Sequence, residues 1–235
     1  MQINNTDIRT FSAKQLKVSY TPPSTAVNVE LFDGALTPSE SETYTPLSEL
    51  TVEIYFRGQT RNEIQRYVSD FNAMLQKGVI LTLDGYERKF KAYMTGNTLN
   101  KTITGTRYKA EFTFNGYWFS DTVTLTWQEV HEAKFEAAGN RWSPCKLSIT
   151  ALEYIEVLKI NGFSDELTIN VIPRGATVVI DSTKGFITMD GANKFGDVDG
   201  MMEFPFLKTG EDREHHLIFS DKNIIVTLEY NPMWL

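Results

Sequence analysis

The sequence predicts a mainly β protein of two domains, an α+β domain over 1–121 and an all-β sandwich over 122–235. Three observations predict it. Only residues 60–77 carry helical periodicity; other apolar stretches alternate with period two or are short β-branched runs closed by Gly, Asn or Asp. In the second half such runs recur at sandwich spacing, about every 8–12 residues. Charge divides at the same place. Residues 1–121 hold 13 Lys/Arg and 13 Asp/Glu, whereas 122–235 hold 10 and 17, so the whole net charge of −7 lies in the second half.

Composition narrows the function classes. A chain of 235 residues that is 41% hydrophobic and 12% aromatic has ample material for packed cores, which argues against disorder. A single cysteine, Cys145, excludes an intrachain disulfide and a multi-cysteine metal site. No apolar run approaches the ~20 residues of a membrane span. The opening stretch MQINNTDIRTF lacks signal-peptide architecture, so synthesis and assembly in a cytoplasm are expected. The acidic second half argues against nucleic-acid contact there, because phosphate binding draws on Lys/Arg. The neutral first half packs against copies of itself without long-range repulsion.

Leu16 to Tyr20 and Ala26 to Phe32 alternate apolar and polar residues and read as strands, broken by Pro22–Pro23 and turned by Asp33–Gly34. From Ala35 to Leu50 the chain is too polar for a core face. It reads as a surface loop or as an arm between two strands, and long polar excursions of that kind are often functional. Thr51 to Phe56 is a strand with Val52, Ile54 and Phe56 on one face. Thr60 and Glu63 form a capping box, and Ile64, Tyr67, Val68, Phe71, Met74 and Leu75 fall in one helical stripe. Gly78 stands where a left-handed C-terminal residue belongs.

Val79 to Leu83, Phe90 to Met94 and Tyr108 to Phe114 continue as strands, with Gly96–Asn97 as a turn and Leu99 to Thr106 as a second polar stretch. Tyr117, Trp118 and Phe119 cannot share one face of a strand, so at least one is expected at a domain or subunit contact. In the second half, Val123 to Trp127, Lys146 to Thr150, Tyr154 to Ile160, Glu166 to Ile172 and Ile224 to Tyr230 read as strands. Asn161–Gly162 marks a hairpin, and His131 to Arg141 is ambiguous between loop and poor helix. Thr177–Ile180 and Phe186–Met189, separated by Asp181 to Gly185, form another hairpin.

No constellation reads as a catalytic site or a cofactor site. His215–His216 beside Glu211, Asp212 and Glu214 suggests metal chemistry, but adjacent strand residues face opposite ways, and a solvated turn is favoured. Asp197-Val198-Asp199-Gly200 matches part of a calcium loop, with Met201 where an oxygen ligand belongs. There is no nucleophile elbow and no phosphate-binding glycine loop. Cys145 reads as a small core residue or a semi-buried thiol. The apolar Phe204-Pro205-Phe206-Leu207 cluster and Trp234 read as core and chain-end docking, or else as an exposed patch for a partner. Trp127 and Trp142 are candidates for stacking on sugar rings.

A series of motifs in the second half resembles the C-terminal domain of siphophage distal tail proteins. It comprises Gly175 to Asp181, Lys184–Gly185, Asp190 to Phe195, Phe204 to Leu207 and Gly210, then Val226 to Tyr230, Asn231–Pro232 and Trp234. The resemblance covers the first half more loosely. It implies an N-terminal ring-forming domain, a β-sandwich with one helix and a projecting arm, followed by a galectin-like, jelly-roll C-terminal domain. That likeness is architectural and does not imply sugar binding. It further implies a non-enzymatic virion subunit without cofactor, metal or membrane contact, made in a bacterial host cytoplasm. Its partners would be itself as a homo-hexamer, the tail tube protein, the tail-associated tip protein, and receptor-binding or fibre proteins. The arm would be represented by Thr37, Pro38, Tyr44, Pro46 and Leu47, and the partner-contact aromatics by Tyr117, Trp118, Trp142, Phe206 and Trp234. The alternative function is a carbohydrate-binding module for adsorption to the host wall.

Overall fold

In the computed structural model, residues 1–23, 26–30, 39–44, 46–98, 106–210 and 213–235 are described, with 26–30, 39–44 and 98 described for their backbone alone. Two compact units result, Met1–Phe119 and Ser120–Trp234. The fold is mainly β, and every named strand pairing is antiparallel.

The first unit is built on one sheet. From edge to edge its strands are Thr6–Asp7, Gln2–Ile3, Val79–Thr82, Lys89–Thr98, Arg107–Phe119, Ser48–Arg57 and Ala13–Thr21. Period-two alternation in the two central strands turns Leu50, Val52, Ile54 and Phe56 inward beside Phe114, Phe112, Ala110 and Tyr108. The helix Arg61–Met74 covers this face, with Phe71 fully buried against Phe56 and Phe112 at ring-centroid distances of 5.4 and 5.0 Å. Thr60 Oγ1 accepts the Glu63 amide, and the Glu63 carboxylate accepts the amide of Gln59. That bond, followed by one from the Tyr67 hydroxyl, holds the Glu63 carboxyl below its usual range.

Three expectations change here. The helix ends at Met74 with its cap at Leu75, short of residue 77. Gly78 has no left-handed φ; the Tyr93 ring lies against it, 2.6 Å from where a Cβ would stand. Gly96 and Asn97 form no turn. The strand Lys89–Thr98 runs through them, with its register shifted between Met94 and Gly96, a bulge of the kind glycine permits.

The polar excursion contains a strand. Ser39–Tyr44 pairs with Ala26–Glu30 as a separate two-stranded sheet. Residues 31–38, with Thr37 and Pro38, and the polar stretch 99–105 lie outside the described residues.

The second unit is a two-sheet sandwich. One sheet runs Val123–Gln128, Ile224–Tyr230, Ser143–Ala151, Thr177–Asp181, Phe186–Met189, Ala192–Asn193. The other runs Glu132–Glu136, Glu214–Phe219, Ile155–Asn161, Leu167–Ile172, Val198–Asp199. Leu147, Ile149, Ile160, Ile169, Val226 and Leu228 are fully buried in the core between them. Both expected hairpins form. In one, Ile180 pairs with Ile187, and Asp181 closes the turn by accepting the amides of Thr183 and Lys184 before Gly185 at φ 68°.

Two readings of this half are corrected. His131 to Arg141 is neither loop nor helix throughout, because Glu132–Glu136 is a strand whose Ala133 is buried. His215–His216 is not a solvated turn. Both lie in the strand Glu214–Phe219, where His215 shares the inward face of Leu217 and Phe219 and His216 faces outward.

Candidate functional site

The described surface of the second unit has one marked aromatic site. Ser143 and Leu207, both fully buried, pair in register and fix the backbone on either side. Their neighbours Trp142 and Phe206 are left at the surface with rings stacked at 5.0 Å and 15°, and Lys208 Nζ lies 6.0 Å from the indole centroid. Trp142 is nonetheless 58% exposed. Beside it runs a groove of about 610 Å³ lined by Phe163, Phe206, Lys208, Arg213, Glu214 and His215 among others.

The groove is held by its own polar contacts. His215 Nε2–H donates to the Lys208 carbonyl at 2.8 Å, which fixes the proton on Nε2, and its ring stacks on Phe135 at 5.1 Å. Arg213 pairs with Glu136 at 3.3 Å. On the outer face of the same ladder, His216 Nε2 meets Glu132 at 2.6 Å, and that bond is the main reason the Glu132 carboxyl is held below its usual range. Trp142 and Phe206 were legible as exposed-aromatic candidates. Phe163, Lys208 and Arg213 were not, because the turn after Gly162 and the segment after Leu207 meet only in space.

The other predicted contact residues are dispersed. Trp118 is 6% exposed and packs among Tyr20, Phe90 and Tyr86, the last stacked at 5.2 Å and 14°. It is therefore a core residue of the first unit and not a partner contact. Strand alternation puts it on the inward face with Phe112 and Phe114. Tyr117 and Phe119 take the opposite face, half-buried, with rings 6.5 Å apart. Trp234 is half-buried on the short strand Met233–Trp234. Pro46 and Leu47 are half-buried at the entry to the strand Ser48–Arg57, and the backbone of Tyr44 lies in the strand Ser39–Tyr44.

Reactive chemistry is poorly supported at the remaining positions. Among the described residues, no group of three His, Cys, Asp or Glu is placed to hold a metal ion. Asp197 is bound by Lys194 at 3.0 Å and Asp199 by the Asn170 amide at 2.8 Å. Cys145 is 1% exposed, and burial pushes its thiol up to about 12, leaving almost no thiolate near neutral pH. Among the described residues, no helix is long and apolar enough to cross a membrane.

No family model and no curated protein matches this sequence. Solved structures do match the fold. The SPP1 Dit protein, described as a paradigm of hub adsorption apparatus in phages infecting Gram-positive hosts, is similar at a TM-score of 0.79 and 12% identity. The match covers 100% of this chain and 98% of that one. Two structures of the phage P2 baseplate in its activated conformation, with Ca and with Sr, are similar at a TM-score of 0.51 and 8% and 9% identity. Each covers 95% of this chain and 92% of the other. From its first strand to its last, this chain has the fold of a phage distal tail protein.

Proposed function

We propose that this chain is a non-enzymatic structural subunit of a phage tail hub, six copies of which close into a ring at the distal end of the tail tube. The observation that carries the proposal is end-to-end similarity to SPP1 Dit over both units, joined to the motif series at 175–234. In this reading the first unit lines the ring and joins the tube protein above to the tail-associated tip protein below. The second unit faces outward and docks receptor-binding or fibre proteins. The protein is made in the host cytoplasm and ends in the virion. The segment carrying Thr37, Pro38, Tyr44, Pro46 and Leu47 is the intersubunit arm, and Tyr117, Trp142, Phe206 and Trp234 are partner contacts.

A head-to-tail interface repeated by rotation closes without leaving an unmatched surface. Size-exclusion chromatography with light scattering over a concentration series tests this. Six copies of 26.8 kDa give about 161 kDa, and negative-stain images of that peak should show rings. A monomer at every concentration would remove the self-closing ring.

The exposure of Trp142 beside a groove favours a second reading, adsorption to host-wall glycan, in which a sugar ring stacks on the indole and the adjoining groove orients it. Titration with wall polysaccharide should then show binding that Trp142→Ala weakens about tenfold or more. Absence of binding by the wild type would end this reading and leave Trp142 as a protein contact.

A further inference from the structure

We infer that one end of the first-unit sheet, on the face turned away from the helix, is a binding surface for single-stranded nucleic acid. The inference goes beyond the tail-hub reading and does not depend on the ring, since either state of assembly can be titrated.

The balanced charge of the first half conceals the surface. Residues 22–47 hold Glu30, Asp33, Glu40 and Glu42 and no lysine or arginine, so the rest of 1–121 carries 13 Lys/Arg against nine Asp/Glu. Register gathers part of this excess in two adjacent rows. Arg57 stands directly opposite Arg107, and in the next row Tyr55 lies between Lys14 and Lys109. Period-two alternation turns all five away from the buried Ile54, Phe56 and Tyr108. The four cations are exposed and Tyr55 is half-buried. Acids enter only in the row beyond, where Lys17, Glu53 and Glu111 stand in register. Glu53 is engaged by Lys109 at 2.6 Å. Lys14 and both arginines have no ion-pair or hydrogen-bond partner through their side chains among the described residues.

This arrangement fits a phosphodiester strand. Two arginines facing each other across a ladder destabilise it, and a phosphate that accepts from both guanidinium groups removes that cost. Lys14 lies diagonally across from Arg57, about 8 Å away along the backbone grid, where it can meet a second phosphate of an extended strand. Beside Arg57 opens a groove of about 690 Å³ that Ser12, Gln59 and Thr106 line with hydroxyl and amide groups. The one acid in the groove, Glu63, already accepts from the Gln59 amide and the Tyr67 hydroxyl at 2.7 and 2.9 Å. Tyr55 offers a ring among the cations, and only a base outside a duplex can stack on it.

Composition separates this partner from an acidic protein. The cores of protein–protein interfaces are depleted of lysine and of charge generally, whereas nucleic-acid interfaces are strongly positive. Here the two rows present four cations and one aromatic ring on a flat sheet face, the combination that binds single strands without sequence preference.

The test is a fluorescence anisotropy titration of a labelled oligothymidylate with the full chain. Binding with a Kd of about 1–100 μM is expected at about 50 mM salt, and log K should fall with log salt at a slope of about −2, the value for three phosphate contacts on a single strand. Arg57→Gln/Arg107→Gln should weaken binding about tenfold or more and reduce the slope to about −0.7. Tyr55→Thr should weaken it about fivefold or more with the slope unchanged, the signature of lost stacking. Lys134→Gln/Lys222→Gln removes the same charge from the second unit and should bind as wild type does. Circular dichroism and melting curves check that each variant folds, and the single change Arg107→Gln, at the strand end, replaces the double one if that fails to fold. Absence of wild-type binding at about 50 mM salt would overturn the inference. So would a folded arginine variant with wild-type affinity, or an equal loss in the second-unit control. Displacement of the oligonucleotide by polyglutamate as readily, charge for charge, as by unlabelled oligothymidylate would replace nucleic acid with an acidic protein surface as the partner.

Discussion

Phe71→Ala is expected to destabilise the first unit by about 3–5 kcal/mol, the cost of a fully buried phenylalanine when its neighbours cannot close the gap. The neighbours here are unusually constrained. Phe71 is the helix residue that enters the sheet face deepest, and its ring meets Phe56 and Phe112 from two adjacent strands. On its outer side Phe11, from the short 3-10 turn Ile8–Phe11, contacts it edge-on at 5.8 Å. Four rings from four segments thus share one contact point. Removing the central one leaves a cavity walled by two strands whose hydrogen-bonded ladder resists inward movement.

The loss should appear as a lower denaturant midpoint for the first unit and a Tm reduced by roughly 10–20 °C. Hydrogen exchange should accelerate across Arg61–Met74 and the central strands, while amides of the second unit keep their protection. A loss under about 1 kcal/mol would mean that the helix is not seated on the sheet through Phe71.

How much of this was legible depended on whether the signal was local. The Phe71 stripe was readable because helical spacing puts Ile64, Phe71 and Leu75 on one face, and all three are buried. The hairpin Thr177–Asp181/Phe186–Met189 was readable because its turn chemistry lies within five residues. The strand Glu132–Glu136 was hidden because its inward residues are only Ala133 and half-buried Phe135, set among charges that serve the outer face. His215 misled for a related reason. An imidazole counts as polar in a pattern, yet here it is buried by stacking on Phe135 and satisfied by the Lys208 carbonyl.

The candidate site was less legible than the fold. Trp142 and Phe206 could be singled out by type, but their stacking follows from the pairing of Ser143 with Leu207, residues far apart in the chain. Glycines were the hardest to interpret. A glycine in a sequence marks a turn, a bulge or a close approach without saying which, and Gly78 and Gly96 each took a role other than the expected one.

Gly116→Ala is expected to be the most damaging single change of this class, at more than about 4 kcal/mol. Gly116 lies within the strand Arg107–Phe119, with Ala92 across one ladder and Ser48 across the other. Its conformation is not left-handed, so the demand for glycine comes from space alone. A Cβ there would fall 1.8 Å from the Lys91 carbonyl oxygen and 2.7 Å from Phe90 Cε1. The ring could swing aside, but the carbonyl belongs to the adjoining strand and can retreat only if the strands part. The ladder between Lys89–Thr98 and Arg107–Phe119 would open beside Phe90 and Trp118, exposing the aromatic core that they form with Tyr86.

The matched control is Gly96→Ala on the neighbouring strand. No atom comes within 4 Å of its would-be Cβ and its φ is not left-handed, so this change should be neutral or slightly stabilising, by up to about 1 kcal/mol through the unfolded chain. Denaturant titration of the two variants separates close approach from a general intolerance of alanine in the sheet. The expected pattern is a first unit that fails to fold or melts far below wild type for Gly116→Ala, with Gly96→Ala indistinguishable from wild type. Equal midpoints for the two would mean that the strands do not approach at Gly116 as closely as the register requires.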